Sequence, residues 1–162
     1  MFTNNMVMAF IDRVRRPFQF SLYLLWKLPI AWLAGVRVTG IQPDHCTTVV
    51  PYRWLSQNPF GSTYFACLGM AAEMSTGLLA LAHVDESPRR ISMLVTGLQA
   101  SFVKKARGRT WFTCREGDAI RAAIASAAAS GEPVSITVNS TGESRDGTLI
   151  ANFAVTWSFK AK

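Results

Sequence analysis

A long and almost uncharged stretch in the middle of the chain limits the folds that it can adopt. Between residues 54 and 82, a stretch of 29 residues, Glu73 is the only charged side chain. We predict one helix over residues 59–82, with Asn58 or Ser62 as its N-terminal cap. Because this helix is apolar on all sides, it must either be enclosed by protein or cross a membrane.

The rest of the sequence indicates enclosure. Four segments alternate between apolar and polar residues, which is the period of a β-strand with one covered face. Their apolar members are Ile91, Met93 and Val95; Phe112 and Cys114; Val134, Ile136 and Val138; and Phe153, Val155, Trp157 and Phe159. We therefore predict an α+β protein in which a curved antiparallel sheet wraps around the apolar helix.

Shorter elements complete the prediction. A strand pair is expected at residues 36–41 and 46–54, with turn-forming residues between the two strands. Asp118 can cap a short helix that ends at Gly131. Asp146 and the glycine that follows it predict a hairpin between the last two strands.

The N-terminal region, residues 1–34, is expected to form a helical extension, and residues 35–162 the sheet-and-helix domain. Apolar residues recur at helical spacing, and Pro29 interrupts the pattern. Two interpretations remain open. The helices could pack on the domain, or they could form a basic, Trp-bearing surface that contacts a membrane. A signal peptide is disfavoured because Lys27 and Pro29 break the apolar run.

Charge and cysteine content exclude few classes of protein. The net charge of +7 favours anionic partners, although solubility alone also explains it. The three cysteines are far apart, which predicts neither a disulfide framework nor a structural zinc site and is typical of a reducing, cytoplasmic compartment. We expect no metal and no cofactor, and no nucleic-acid-binding module is recognisable.

Glu73 is the residue that most indicates chemistry. Its neighbours on the predicted helix include Gly69, Met70 and Gly77, so the surrounding helix face is small and mostly apolar. A carboxylate buried there without partners would be strongly disfavoured or would take up a proton. Either a structural hydrogen-bond network compensates, or the group faces a crevice with a raised pKa suited to general-base catalysis.

The segment from Asn58 to Glu73 resembles the central motif of hot-dog thioesterases of the phenylacetyl-CoA thioesterase type. In that motif an Asn begins a loop, a His-Gly-Gly turn leads into the helix, and an acid follows one helical stretch later. The run from Asp146 to Thr156 resembles the closing hairpin of the same family. Asn58-Pro-Phe-Gly61 together with Glu73-Met-Ser-Thr-Gly77 is most similar to an uncharacterised bacterial hot-dog subgroup.

The resemblance implies a function and a set of roles. Glu73 and Asn58 would be catalytic, either activating water or attacking a thioester carbonyl, and Ser92 or Thr96 would assist from the strand after the helix. The oxyanion and substrate would be bound near the start of the helix, where a backbone N–H meets the positive helix end. The residues at that position are Gly61, Tyr64, Phe65 and Ala66. The partner would be an acyl-CoA or acyl carrier, and the site would lie between subunits of a homodimer or dimer of dimers.

Two features keep a second function open. Tyr64, Phe65 and Ala66 occupy the positions of the family's His-Gly-Gly turn, which favours a non-catalytic module that binds acyl-CoA or lipid. Asn58 is also a plain helix-cap candidate. A basic run can meet CoA phosphates or form a solvated hairpin; its members are Lys104, Lys105, Arg107 and Arg109.

Overall fold

The computed structural model describes residues 4–162, with side chains described from Val7 onward. The described part holds five α-helices, one 3-10 helix and six strands. The helices are α1 (Asn4–Val14), α2 (Pro17–Lys27), α3 (Pro29–Ala34), α4 (Phe65–Glu86) and α5 (Gly117–Ser130), with the 3-10 helix at Trp54–Ser56. The strands are β1 (Arg37–Ile41), β2 (Cys46–Val50), β3 (Ile91–Phe102), β4 (Thr110–Cys114), β5 (Val134–Glu143) and β6 (Leu149–Ala161).

The strands form one antiparallel sheet in the order β1-β2-β4-β5-β6-β3. Helix α4 packs against the inner face of this sheet, with α5 and α1 beside it. Helix α4 is long and apolar enough to cross a membrane by composition, but 67% of its most apolar window is buried inside the fold. The predicted α+β architecture, a curved sheet around a central helix, is therefore confirmed.

The N-terminal helices share the same hydrophobic core. Val7, Ile11 and Val14 of α1 are buried, and α1 packs along α4. Phe20 and Leu24 fasten α2 to this core. The helical structure is interrupted between α2 and α3, just before Pro29. This proline begins the second helix instead of ending the first. The first three residues of the predicted extension lie outside the described residues.

The start of α4 differs from the prediction. The helix begins at Phe65 and not at residue 59, and Tyr64 at its N-cap makes no side-chain cap hydrogen bond. Oδ1 of Asn58 instead accepts hydrogen bonds from the N–H groups of Phe60, at 3.0 Å, and Ser62, at 3.3 Å. Asn58 and Ser62 therefore close a turn ahead of the helix, and their predicted role as helix caps is wrong.

Two other boundaries are corrected. The predicted strand 46–54 ends at Val50, and the 3-10 helix follows it. Asp118 lies in the first turn of α5, whose N-cap is Glu116, so Asp118 is not the cap. The hairpin at residues 146–147 is confirmed: Oδ1 of Asp146 accepts a hydrogen bond from Ser144 Oγ at 2.6 Å, and Gly147 has a φ of 80°.

Strand β3 contains a bulge that controls which side chains face α4. Before the bulge Val95 lies opposite Trp157, and after it Leu98 lies opposite Val155. Thr96 is the extra residue, so the alternation restarts one position later. As a result, apolar side chains from both halves of β3 lie on the inner face of the sheet. Because β3 is the last strand in the order, its other edge has no partner strand in the described part of the chain.

Candidate active site

Glu73 lies midway along α4, close to Trp157 of β6. A Cβ placed on Gly77 would lie 3.1 Å from Oε1 of Glu73 and 3.3 Å from the Trp157 ring, so the missing side chain leaves room for the carboxylate. Within residues 4–162 the carboxylate has no hydrogen-bond partner, and burial raises the pKa of Glu73 above its ordinary value. The geometry thus favours a crevice over a structural hydrogen-bond network.

Thr76 fixes the helix next to this acid without contacting the carboxylate. Its Oγ1 donates a hydrogen bond to the backbone oxygen of Glu73 at 2.9 Å. The same Oγ1 accepts a hydrogen bond from Nε1 of the buried Trp157 at 3.0 Å. These bonds hold this part of α4 against β6, and they leave the Glu73 carboxylate available to a ligand.

Glu73 borders an apolar cavity of about 480 Å³ between α4 and the free edge of the sheet. The wall on the sheet side comes from the inner faces of β3 and β6, and the wall on the helix side from the first two turns of α4. The lining residues apart from Glu73 are Phe65, Ala66, Gly69, Met70, Leu98, Ala100, Phe102 and Phe153. A single carboxylate in an apolar cavity is suited to a ligand with a long hydrocarbon part and one reactive group.

A second and smaller cavity, of about 190 Å³, also borders Glu73. It is lined by the junction of α2 and α3, residues 27–31, together with Met70 and Met74. The sequence did not reveal that the N-terminal helices approach the acid, because this contact joins residues more than forty positions apart. The alternation of Leu98, Ala100 and Phe102 is visible in the sequence, but it is out of phase with the first half of β3, and only the bulge brings it to the cavity wall.

The start of α4 provides the backbone donors that the resemblance implies. The N–H of Tyr64 is used by the backbone oxygen of Ser56, at 2.7 Å. Within residues 4–162, the N–H groups of Phe65 and Ala66, in the first turn of the helix, make no backbone hydrogen bond. They lie at the positive helix end, where an oxyanion is favoured. The side chains of Tyr64 and Phe65 are exposed and contact one another edge-on.

Asn58 does not share a cavity with Glu73. It lines a neighbouring groove of about 750 Å³, and Phe65 and Phe102 line both this groove and the Glu73 cavity. Both halves of its side-chain amide are engaged within the turn, since Nδ2 donates to Ser62 Oγ at 3.1 Å. Gly61 is in the same turn with a φ of 70° and does not line either cavity.

The two proposed helper residues lie away from the acid. Ser92 is opposite Lys160 in the register, which places it on the outer face of the sheet, whereas Glu73 lies on the inner side. Thr96 is the bulge residue, and its hydroxyl donates to the backbone oxygen of Thr156 at 3.4 Å. In this chain neither residue lines the cavities that Glu73 borders.

The basic run is a crossover and not a hairpin, because β3 and β4 are not neighbours in the sheet. Lys104 and Lys105 line the groove that contains Asn58, and Nζ of Lys105 donates to the backbone oxygen of Phe60 at 3.2 Å. Arg109 lines a separate surface depression, and Arg107 is exposed. The structure therefore brings two of the four predicted phosphate ligands to the groove and leaves two outside it.

The cysteines do not supply a second nucleophile. Cys46 lies opposite Cys114 across β2 and β4, both side chains are buried, and both are free thiols. Burial raises the pKa of Cys114 to about 11 and moves the pKa of Cys46 further in the same direction. Burial also raises the pKa of Cys67. At neutral pH these thiols are protonated and poorly reactive.

A curved antiparallel sheet around one long helix, with an acid on that helix facing a cavity, defines the class: this is a hot-dog fold protein. Within that class, the family model described as "Domain of unknown function (DUF4442)" matches residues 17–159, and the chain belongs to this family. No curated protein matches this chain significantly in sequence.

Solved structures support the fold at low sequence identity. A Pseudomonas aeruginosa protein of unknown function, described as a probable thioesterase, is 22% identical with a TM-score of 0.77 over 90% of this chain and 97% of its own. A thioesterase family protein from Silicibacter pomeroyi is 15% identical with a TM-score of 0.64 over 90% and 98%. A Haemophilus influenzae thioesterase is 12% identical with a TM-score of 0.58 over 86% and 87%.

Proposed function

We propose that this protein hydrolyses acyl thioesters, carried by CoA or by an acyl carrier, with Glu73 as the general base. The observation that carries the proposal is an unpartnered, partly buried carboxylate at the wall of an apolar cavity. The cavity would hold the acyl chain. The raised pKa of Glu73 makes its carboxylate a better proton acceptor than that of an exposed Glu.

The reaction needs a second set of groups to stabilise the oxyanion. The first-turn amides of α4 belong to Phe65 and Ala66, and Glu73 follows Phe65 by eight positions. Eight residues of α-helix span about 12 Å, which is too far for both groups to act on one carbonyl. We therefore expect the oxyanion donors at each Glu73 to come from the helix start of a partner subunit in a homodimer.

The chemistry follows from these positions. Glu73 accepts a proton from water as the water oxygen attacks the thioester carbon, and the helix-start amides stabilise the resulting oxyanion. When the intermediate collapses, the carbon–sulfur bond breaks and the thiolate takes up the proton from Glu73. Lys104 and Lys105 would bind the phosphates of CoA from the adjoining groove. Asn58 would act as a positioning residue, because it holds the turn that precedes α4.

Hydrolysis of a panel of acyl-CoAs, followed by thiol release, tests the proposal. We expect Glu73→Gln to lower kcat by roughly 10²–10⁴-fold, the contribution typical of a general base. Asp85→Asn is the matched control because it removes one negative charge from the same helix, twelve residues away. Equal rates for wild type and Glu73→Gln would remove Glu73 from the mechanism.

One observation favours a second function, a module that binds acyl-CoA or lipid without cleaving it. The rings of Phe65 and Phe102 are in edge-to-face contact, with centroids 6.4 Å apart, where the family motif has a glycine in place of Phe65. This pair lines both the Lys104 groove and the Glu73 cavity, so it lies between the predicted phosphate ligands and the acid. Calorimetry that detects acyl-CoA binding without product formation would select this function, and Phe65→Gly should then create turnover if the ring alone blocks the thioester.

A further inference from the structure

Helix α2 has two apolar faces, and residues 4–162 cover only one of them. Phe20 and Leu24, one turn apart, point into the core, and Leu24 is 1% exposed. The opposite stripe follows the helical spacing of 4, 7 and 8 residues and is open to solvent. Its members are Phe18 at 77% exposed, Leu22, Leu25, and Trp26 at 83% exposed. Packing of a surface helix on the core uses one apolar face, so packing does not account for this second apolar stripe.

The exposed stripe continues onto the neighbouring elements. Ile30 and Leu33 of α3 are exposed, whereas Ala31 and Ala34 of the same helix are buried. The 3-10 helix contacts α3 and presents Trp54 and Leu55 to solvent. Exposed apolar patches of this extent on soluble proteins usually mark an interaction surface. We call the exposed side chains of Phe18, Leu22, Leu25, Trp26, Ile30 and Leu33 the α2–α3 face.

The segments that form and flank this face carry mostly positive charges. From residue 13 to residue 72 the sequence contains six Lys or Arg residues and a single acid, Asp44. Arg16 and Lys27 lie at the two ends of α2, and both are exposed. Asp44 is placed elsewhere, in the turn between β1 and β2, where it pairs with His45. An apolar stripe with cations at both ends complements an anionic lipid surface, since the cations meet the headgroups while the apolar side chains enter the acyl boundary.

We propose that the α2–α3 face docks on the surface of an anionic lipid bilayer. Trp26 and Tyr23, both exposed on α2, are of the residue types that accumulate at the headgroup level of membranes. The helix lies in the plane of the bilayer surface and does not cross it, because α2 has only 11 residues and its inner face stays packed on the core. This docking does not depend on the proposed thioesterase activity.

Vesicle co-sedimentation of the full chain tests the apolar part of the proposal. The protein should pellet with phosphatidylcholine vesicles containing phosphatidylglycerol and much less with phosphatidylcholine alone, and high salt should weaken binding. We expect Leu22→Ser/Trp26→Ser to weaken binding about tenfold or more. Phe60→Ser/Val103→Ser is the control: it removes two exposed apolar side chains from a groove that the N-terminal helices do not line, and should bind like wild type.

A pair of charge reversals tests the electrostatic part. Arg16→Glu/Lys27→Glu and Lys160→Glu/Lys162→Glu change the net charge equally, but the second pair lies at the chain's C-terminus. Only the first should lose binding to the anionic vesicles. Circular dichroism and acyl-CoA turnover, measured on the same samples, separate loss of docking from loss of folding or of catalysis.

Three results would overturn the proposal. The wild type could remain in the supernatant with every vesicle composition, or both charge-reversal pairs could lose binding equally. Alternatively, sedimentation velocity could find that Leu22→Ser/Trp26→Ser dissociates an oligomer, in which case a second copy of the chain covers the α2–α3 face instead.

Discussion

The ionised side chain of Glu73 is needed for the proposed catalysis, but its burial lowers the stability of the fold. Burial raises its pKa above the ordinary 4.5, so the folded protein binds a proton more tightly than the unfolded chain does. The contribution of Glu73 to the stability of the wild type is therefore most favourable below pH 4.5. This contribution is lost as the pH rises through the raised pKa. The charged carboxylate destabilises the fold at neutral pH, where it is needed as a base.

This opposition predicts that Glu73→Gln stabilises the protein at pH 8 while it lowers turnover. The increase in Tm over wild type should shrink as the pH is lowered through the raised pKa, because the wild-type carboxyl becomes neutral as well. Thermal unfolding from pH 4 to pH 8 measures the effect, and exposed Glu132→Gln serves as the control. A Tm difference that is independent of pH would show that Glu73 is not held in an unfavourable environment.

The sequence was informative about Glu73 and misleading about Asn58. A lone charge among 29 residues is visible without any structure, because its isolation is a property of one short stretch. Asn58, followed by Pro, has the residue types of a helix start, but the same types also close turns. Which of the two occurs is decided by contacts distant in sequence: Thr63, just ahead of the helix, donates its N–H to the backbone oxygen of Ala106 at 2.8 Å.

Strand β5 packs closely against strand β4 because one of its residues is a glycine. Gly142 lies opposite Phe112 of β4, and a Cβ on Gly142 would come 2.4 Å from the Phe112 ring. We predict that Gly142→Ala destabilises the protein by about 1–3 kcal/mol, as overpacking of a core typically does. Gly40→Ala in strand β1 is the control, since a Cβ there meets nothing within 4 Å. Urea unfolding with equal midpoints for the two variants would contradict this packing.

The strands were predictable as elements, but their partners were not. The alternation of apolar and polar residues identified the inner faces of β5 and β6, because successive side chains of a strand point to opposite faces of the sheet. The pairing of β3 with β6 joins residues about sixty positions apart, and the bulge at Thr96 resets the alternation within one strand. A strict period of two therefore misassigns the second half of β3, which forms one wall of the Glu73 cavity.

The molecule as a whole has one sheet edge that is long and apolar. Strand β3 runs for 12 residues, and Leu94, Leu98 and Phe102 are exposed along it. Proteins rarely leave such an edge unpaired, so we propose that two copies pair there, in agreement with the separation between Glu73 and its oxyanion donors. Leu94→Lys should weaken the dimer by roughly tenfold or more, because like charges meet across a symmetric interface.

Sedimentation velocity over a range of concentrations measures this dimer. Thr39→Lys on β1, at the opposite edge of the sheet, is the matched control and should leave self-association unchanged. If the dimer forms as proposed, Leu94→Lys should also lose turnover although Leu94 does not line the Glu73 cavity, since each site then lacks the partner's helix start. A wild-type protein that is monomeric at all concentrations would contradict both the proposed β3 interface and the proposed active site shared between subunits.

The small cavity between Glu73 and the α2–α3 junction connects the two proposals of function and docking. Its rim includes Lys27 and Ile30, which are also at the border of the α2–α3 face. A protein lying on a bilayer by that face would have this opening directed toward the lipid. Substrate partitioned into the leaflet would then reach the acid by lateral diffusion, and the rate would depend on molecules per unit area of membrane rather than per volume of solution.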